Sequence, residues 1–263
     1  MAAIDLSGSD KSVITSTRCR FLGAPFDTIP QRTVLALIQD YPSDQGFRYV
    51  VTPNVDYVVR MRGDAALSGI VSTAWLCLCD SRPLRALARL LSLNLPLVTG
   101  SDLTAELFRT VVKPGDVITL VASSDEVVAG MRAAYPHVDF RAIVPPAGVK
   151  NNPKALQECV DYVIEMPSRF TFLAIGSPQS ELISYRLAKH PQARGIGLNI
   201  GASLEFLVGI KRRAPGWMQT VGLEWLHRLV TDPKRLWRRY VYSVIPLVVL
   251  FLRELTFRRG WSR

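Results

Sequence analysis

Short apolar runs alternate along the chain with longer segments whose apolar residues recur every three or four positions. That is the pattern of a parallel sheet with crossover helices, and it predicts an α/β, Rossmann-like domain. Strands are predicted at 48–51 (RYVV), 75–79 (WLCLC), 117–122 (VITLVA), 171–175 (TFLAI) and 195–200 (GIGLNI). Each gives way to a turn-rich stretch, TPN, DSRP, SSDE, GSPQSE and GAS, before the next helical pattern. In open sheets of this kind ligands bind outside the carboxyl ends of the strands, so functional groups are sought in these loops. The opening residues are polar and lack a basic flank followed by an apolar core, which predicts a cytoplasmic protein without a secretory signal.

Composition adds a second part to this picture. With 263 residues, 48% of them hydrophobic, the chain can bury a sizeable core. Its four cysteines show no metal-ligand or disulfide-scaffold spacing, and no metal site is expected. The formal charge is +10, but residues 1–210 hold 20 Lys and Arg against 19 Asp and Glu, whereas 211–263 hold 12 against 3. A near-neutral Rossmann-like domain, 1–209, is therefore expected to carry a basic helical appendage, 210–263. Such a tail suits a polyanion: nucleic acid, phosphate groups or an anionic membrane. In it, Thr231-Asp232-Pro233 reads as a helix start, after which Arg235, Arg238 and Arg239 share one face with Trp237 and Tyr240 interleaved. Arg228 precedes them in GLEWLHRLV. The apolar run 242–252 has 11 residues and contains Pro246, short of the roughly 20 that span a bilayer, so surface attachment is the expectation.

The loops contain several candidate groups. Asp80 follows an apolar strand, a place that suits a general base and equally suits a helix cap. Thr52 and Asn54 in TPN can orient a polar substrate, although capping of the next helix is the simpler reading. Gly176-Ser177-Pro178 and the G-x-G-x-x-x-G run ending at Gly201 can bring backbone amides close to a diphosphate. The second is one residue off the dinucleotide fingerprint, which leaves a nicotinamide-dependent oxidoreductase as a weak alternative. Glu205 is placed to accept from a ribose or base, or to sit exposed in a first helical turn. No nucleophile elbow, Walker loop, H-E-x-x-H or Asp-x-Asp occurs. An enzyme of nucleotide sugars without paired acids would stabilise its leaving diphosphate with cationic side chains.

The motifs VTPNVDYVVRMRGD (51–64), the strand end at Asp80 with VTGSDL (98–103), LAIGSPQSE (173–181) and NIGASLEFLVGIKRRAPGWMQTVGLEWLHRLVTDPKRLWRRY (199–240) resemble the WecG/TagA/CpsF family of bacterial glycosyltransferases. The resemblance covers roughly residues 19–253. It implies an inverting transferase that moves a sugar from a UDP-sugar, without a metal or other cofactor, to a polyprenyl-diphosphate-linked monosaccharide at the inner face of the cell membrane. It further implies Asp80 as catalytic base and Thr52 as an organiser of the site. Asn54, Asp102, Gly176, Ser177, Gln179, Gly201, Glu205, Arg228, Arg235 and Arg238 are implied to bind substrate, the arginines lying near the diphosphate. Nucleic acid is then not expected as a partner. The chain departs from the family pattern at Ser81, at Gln179-Ser180, at Leu97, where an arginine is usual, and at Ser123-Ser124, where two glycines are usual. N-acetylmannosamine-type, glucose and glucuronate donors all remain compatible with these changes.

Overall fold

A computed structural model describes residues 18–211, 214–215, 218, 230 and 233–261. It opens with a hairpin, β1 (Arg18–Phe21) and β2 (Ala24–Asp27), that no strand signal announced. Leu22 and Gly23 both have positive φ, 54° and 82°, which gives the primed turn that matches strand twist. The hairpin is fastened by Arg18, whose Nε and Nη2 donate to the two oxygens of buried Asp27 at 3.0 and 2.7 Å. Asp27 Oδ2 also accepts from the Cys77 amide at 2.7 Å, tying the hairpin to the main sheet.

Next come α1 (Gln31–Gln39), β3 (Arg48–Val51), α2 (Val55–Gly63), α3 (Ala65–Ser72), β4 (Leu76–Cys77), α4 (Arg82–Leu90) and α5 (Gly100–Thr110). They are followed by β5 (Val117–Val121), α6 (Asp125–Ala134), β6 (Asp139–Ile143), α7 (Pro153–Glu165), β7 (Phe170–Leu173), α8 (Gln179–Lys189), β8 (Ile196–Asn199), α9 (Ser203–Leu207) and α10 (Pro233–Trp261). Strands β3 to β8 form one parallel sheet in the order β4-β3-β8-β7-β5-β6, flanked by helices. The predicted α/β class is thus the observed one. Strand β3 has the predicted bounds; the others are shorter or shifted by a residue or two, and β6 was not foreseen. The 75–79 run narrows to two residues, with Cys79 making only an isolated bridge to Leu97.

Polar residues end most crossings in the same way. Asn54, Asp64, Ser81, Thr99, Ser124 and Asn152 each accept from the backbone N–H three residues on, starting α2, α3, α4, α5, α6 and α7. Both faces of the sheet are covered, so its central strands are mostly apolar. Close approach at the sheet is set by glycine. A Cβ on Gly195, whose φ is +86°, would lie 2.4 Å from the Ser168 carbonyl oxygen and 2.8 Å from that of Arg169. Gly195→Ala is expected to cost about 2–5 kcal/mol, the sum of a left-handed backbone and overpacking, read as a lower midpoint in urea unfolding.

Helix α10 packs on α2. Ser243, Leu247 and Leu250, spaced i, i+4, i+7, are buried, and the two leucines join the core on that face of the sheet. Tyr242, Val244, Ile245, Val248, Val249 and Leu252 are exposed on the same helix. No helix among the described residues is long and apolar enough to cross a membrane. Thr231, Asp232 and Arg228 lie outside the described residues, as do the side chains of Arg235, Arg238 and Arg239; Pro233 opens the helix as described.

Candidate active site

The chain moves outward in one direction from β3 to β4 and in the opposite direction from β5 to β6, with β8 and β7 filling the gap. This reversal places the crevice at the carboxyl ends of the central strands. The loop residues singled out from the sequence line that edge in spatial order: Asp80 after β4, Thr52 and Asn54 after β3, Gly201 after β8, and Gly176, Ser177 and Gln179 after β7.

Hydrogen bonds draw the first of these together. Thr52 Oγ1 donates to the Asn199 carbonyl at 3.2 Å, joining the ends of β3 and β8. The Asp80 amide donates to the Pro53 carbonyl at 3.0 Å, which holds Asp80 against the TPN loop. Asn54 is the cap of α2, accepting from the Tyr57 amide at 3.2 Å. The cap of α4, by contrast, is Ser81, which accepts from the Leu84 amide at 3.2 Å. Of the two readings of Asp80 open at the sequence level, the helix cap has passed to its neighbour.

The first turn of α5 packs against the ends of β3 and β8. A Cβ on Gly100 would lie 3.2 Å from both Thr52 Oγ1 and Ser203 Oγ. Asp102 is in that turn, its amide donating to Thr99 Oγ1 at 3.0 Å. Gly201 has φ +57° with open space where a Cβ would be. Glu205 is half-buried at the far side; it accepts from Ser123 Oγ at 3.1 Å and forms an ion pair with Lys211. Ser123-Ser124 therefore has a defined use, since one serine reaches Glu205 and the other caps α6.

In the β7 loop, Gly176 has φ +82° and the Ser177-Pro178 peptide is cis. Gln179 Nε2 donates to the Ile175 carbonyl at 3.4 Å, and the Ser177 carbonyl accepts from Arg60 Nη1 at 3.2 Å. Beneath this loop lies a group the sequence did not single out. Glu181 is buried, and loss of water raises its carboxyl pKa from 4.5 to about 7 despite Ser177, Tyr57 and Arg60 favouring the charged form. Tyr57 Oη, Ser177 Oγ and Glu181 Oε2 are buried without a well-aligned hydrogen bond among the described residues. Burial and the nearby Glu181 push the Tyr57 hydroxyl well above its ordinary value. A second unforeseen group is Asn199, whose Nδ2 donates to the Val50 carbonyl at 3.0 Å and whose Oδ1 accepts from Ser184 at 3.1 Å. It stiffens the strand ends from which Thr52 projects.

The thiols near the crevice are poor nucleophiles. Burial raises Cys79 to about 12 and Cys77 well above its ordinary value, so both stay protonated at neutral pH.

A model of the Glycosyl transferase WecG/TagA/CpsF family matches residues 19–260. The chain belongs to this family. It is a glycosyltransferase, and the crevice at the strand ends is its candidate active site. The match takes in all the candidate residues, including Arg228, Arg235 and Arg238 in the basic segment.

Proposed function

We propose that this glycosyltransferase moves a sugar from a UDP-sugar to a polyprenyl-diphosphate-linked monosaccharide, with inversion at the anomeric carbon and with Asp80 as general base. The observation that carries the reading is the placement of Asp80: its amide is bound to the TPN loop beside Thr52, while Ser81 takes over the cap of α4. The Asp80 carboxylate takes the proton of the acceptor hydroxyl as that oxygen attacks the anomeric carbon. The bond from that carbon to the diphosphate oxygen breaks, and UDP leaves. Thr52 and Asn54 keep the base loop in register, and Asp102, Gly176, Ser177, Gln179, Gly201 and Glu205 form the substrate walls.

Arg228, Arg235 and Arg238 neutralise the departing diphosphate in place of a divalent ion, a reading supported by the lack of any Asp-x-Asp and by the cationic excess of 211–263. Residues 210–263 then act as an appendage that completes the domain 1–209. The exposed apolar side chains of α10 and the basic residues around them support peripheral attachment to the anionic inner face of the cell membrane. Glucose, glucuronate and N-acetylmannosamine-type sugars are the donors to screen.

The test is a screen of UDP-sugars against a short-chain lipid-diphosphate monosaccharide, read by mass spectrometry. A product heavier by one sugar is expected, at unchanged rate in excess EDTA. Transfer that EDTA abolishes and Mg²⁺ or Mn²⁺ restores overturns the metal-free step, and failure of every UDP-sugar overturns the donor class.

A further inference from the structure

Three segments remote in sequence are linked through one ion pair, Asp56–Arg60. Arg60, on the face of α2 toward α10, donates through Nη1 to the Ser177 carbonyl at 3.2 Å and pairs through Nε with Asp56 Oδ2 at 3.1 Å. The other Asp56 oxygen accepts from Ser243 Oγ of α10 at 3.5 Å, and Ser243 is buried. The chain of contacts runs from α10, through Asp56 and Arg60, to the peptide bond that enters Pro178.

A solvated i,i+4 ion pair contributes little, but these two residues are only 22% and 36% exposed, and the arginine has a further partner outside its helix. Arg60 Nε is buried without an aligned hydrogen bond among the described residues, so Asp56 acts on the guanidinium by charge, drawing it to the position from which Nη1 reaches Ser177. The loop needs such a hold. Pro178 has no N–H, Gly176 is in the left-handed region, and the Ser177 carbonyl lies outside the β7 ladder.

We propose that Arg60 is a positioning residue that couples the seating of the C-terminal helix to the geometry of the 176–179 loop. With α10 docked, Ser243 orients Asp56, Asp56 draws the guanidinium into place, and the loop is held in the form that receives the sugar nucleotide. With α10 displaced, the guanidinium is released and the loop loosens. The inference rests on the proposed placement of the donor at this loop.

The test compares full-length wild type, Arg60→Lys and Ser243→Ala by hydrogen–deuterium exchange and by donor kinetics. Lysine keeps the charge that faces Asp56 but lacks the planar Nη1 donor aimed at the Ser177 carbonyl. Arg60→Lys is expected to raise exchange of the 176–180 amides about tenfold, leave exchange in α10 unchanged, and raise the donor KM more than it lowers kcat. Ser243→Ala is expected to raise exchange in α10 and in the 176–180 loop together. Loosening of α10 with the loop unchanged overturns the coupling, as does an Arg60→Lys enzyme with wild-type loop exchange. The exchange measurement needs no substrate, so a wild type inactive with every UDP-sugar counts against the proposed reaction and not against the coupling.

Discussion

Asp80→Asn is expected to lower kcat by about 10²- to 10⁴-fold, the usual contribution of a positioned general base, while UDP affinity and thermal midpoint stay close to wild type. The asparagine side chain has nearly the same size and shape, and it cannot accept a proton at neutral pH. Its backbone amide is bound to the Pro53 carbonyl at 3.0 Å, and the substitution leaves that bond intact. The start of α4 is likewise unaffected, because Ser81 makes the cap. Steady-state turnover, calorimetric binding of UDP and thermal unfolding on the same preparation separate the possibilities. Turnover within a factor of a few of wild type rules out Asp80 as the base. A large fall in thermal midpoint assigns it a structural role instead.

The central strands were legible because parallel strands covered on both faces become continuous apolar runs ending in turn residues, and β3, β5, β7 and β8 all have that form. The elements that escaped lie where the pattern is diluted. Strand β6 (DFRAI) is at the sheet edge, and Asp139 and Arg141 pair with each other at its surface, so the segment reads as polar. The β1–β2 hairpin has four-residue strands, one containing Pro25, and is fastened by Arg18 to the buried Asp27, partners that give no signal until they are brought together.

The candidate site was legible to the extent that it follows strand ends. Thr52, Asp80, Gly176 and Gly201 could be placed by topology alone. Asn199 and Glu181 could not. An asparagine inside a strand and a glutamate in the first turn of a helix are ordinarily solvent-facing, and only tertiary packing buries these two. The charge split at residue 210 pointed to an appendage, yet the i, i+4, i+7 stripe Ser243–Leu247–Leu250 was hidden within an apolar run whose other side chains, half-buried Pro246 and Phe251 apart, are exposed.

Glu181 should leave a measurable mark on stability. In the unfolded chain its carboxyl ionises near 4.5, and in the folded protein near 7, because burial removes the water that would solvate the charge. Below pH 4.5 both states hold the proton and the group is neutral to folding. Between pH 4.5 and 7 the unfolded state loses its proton while the folded state keeps it, so stability falls as pH rises. Above pH 7 both states are ionised and the penalty levels off at about 3 kcal/mol. Glu181→Gln removes the ionisation while keeping the shape and the polar contact with Tyr57 and Ser177. The variant is therefore expected to match wild type at about pH 4 and to exceed it by about 3 kcal/mol at about pH 8, as read by urea unfolding across that range. Parallel stability–pH curves for the two proteins would show that Glu181 is charged in the folded state throughout. In the Glu181→Gln variant any pH dependence of donor KM that arises from this group should disappear together with the slope in stability.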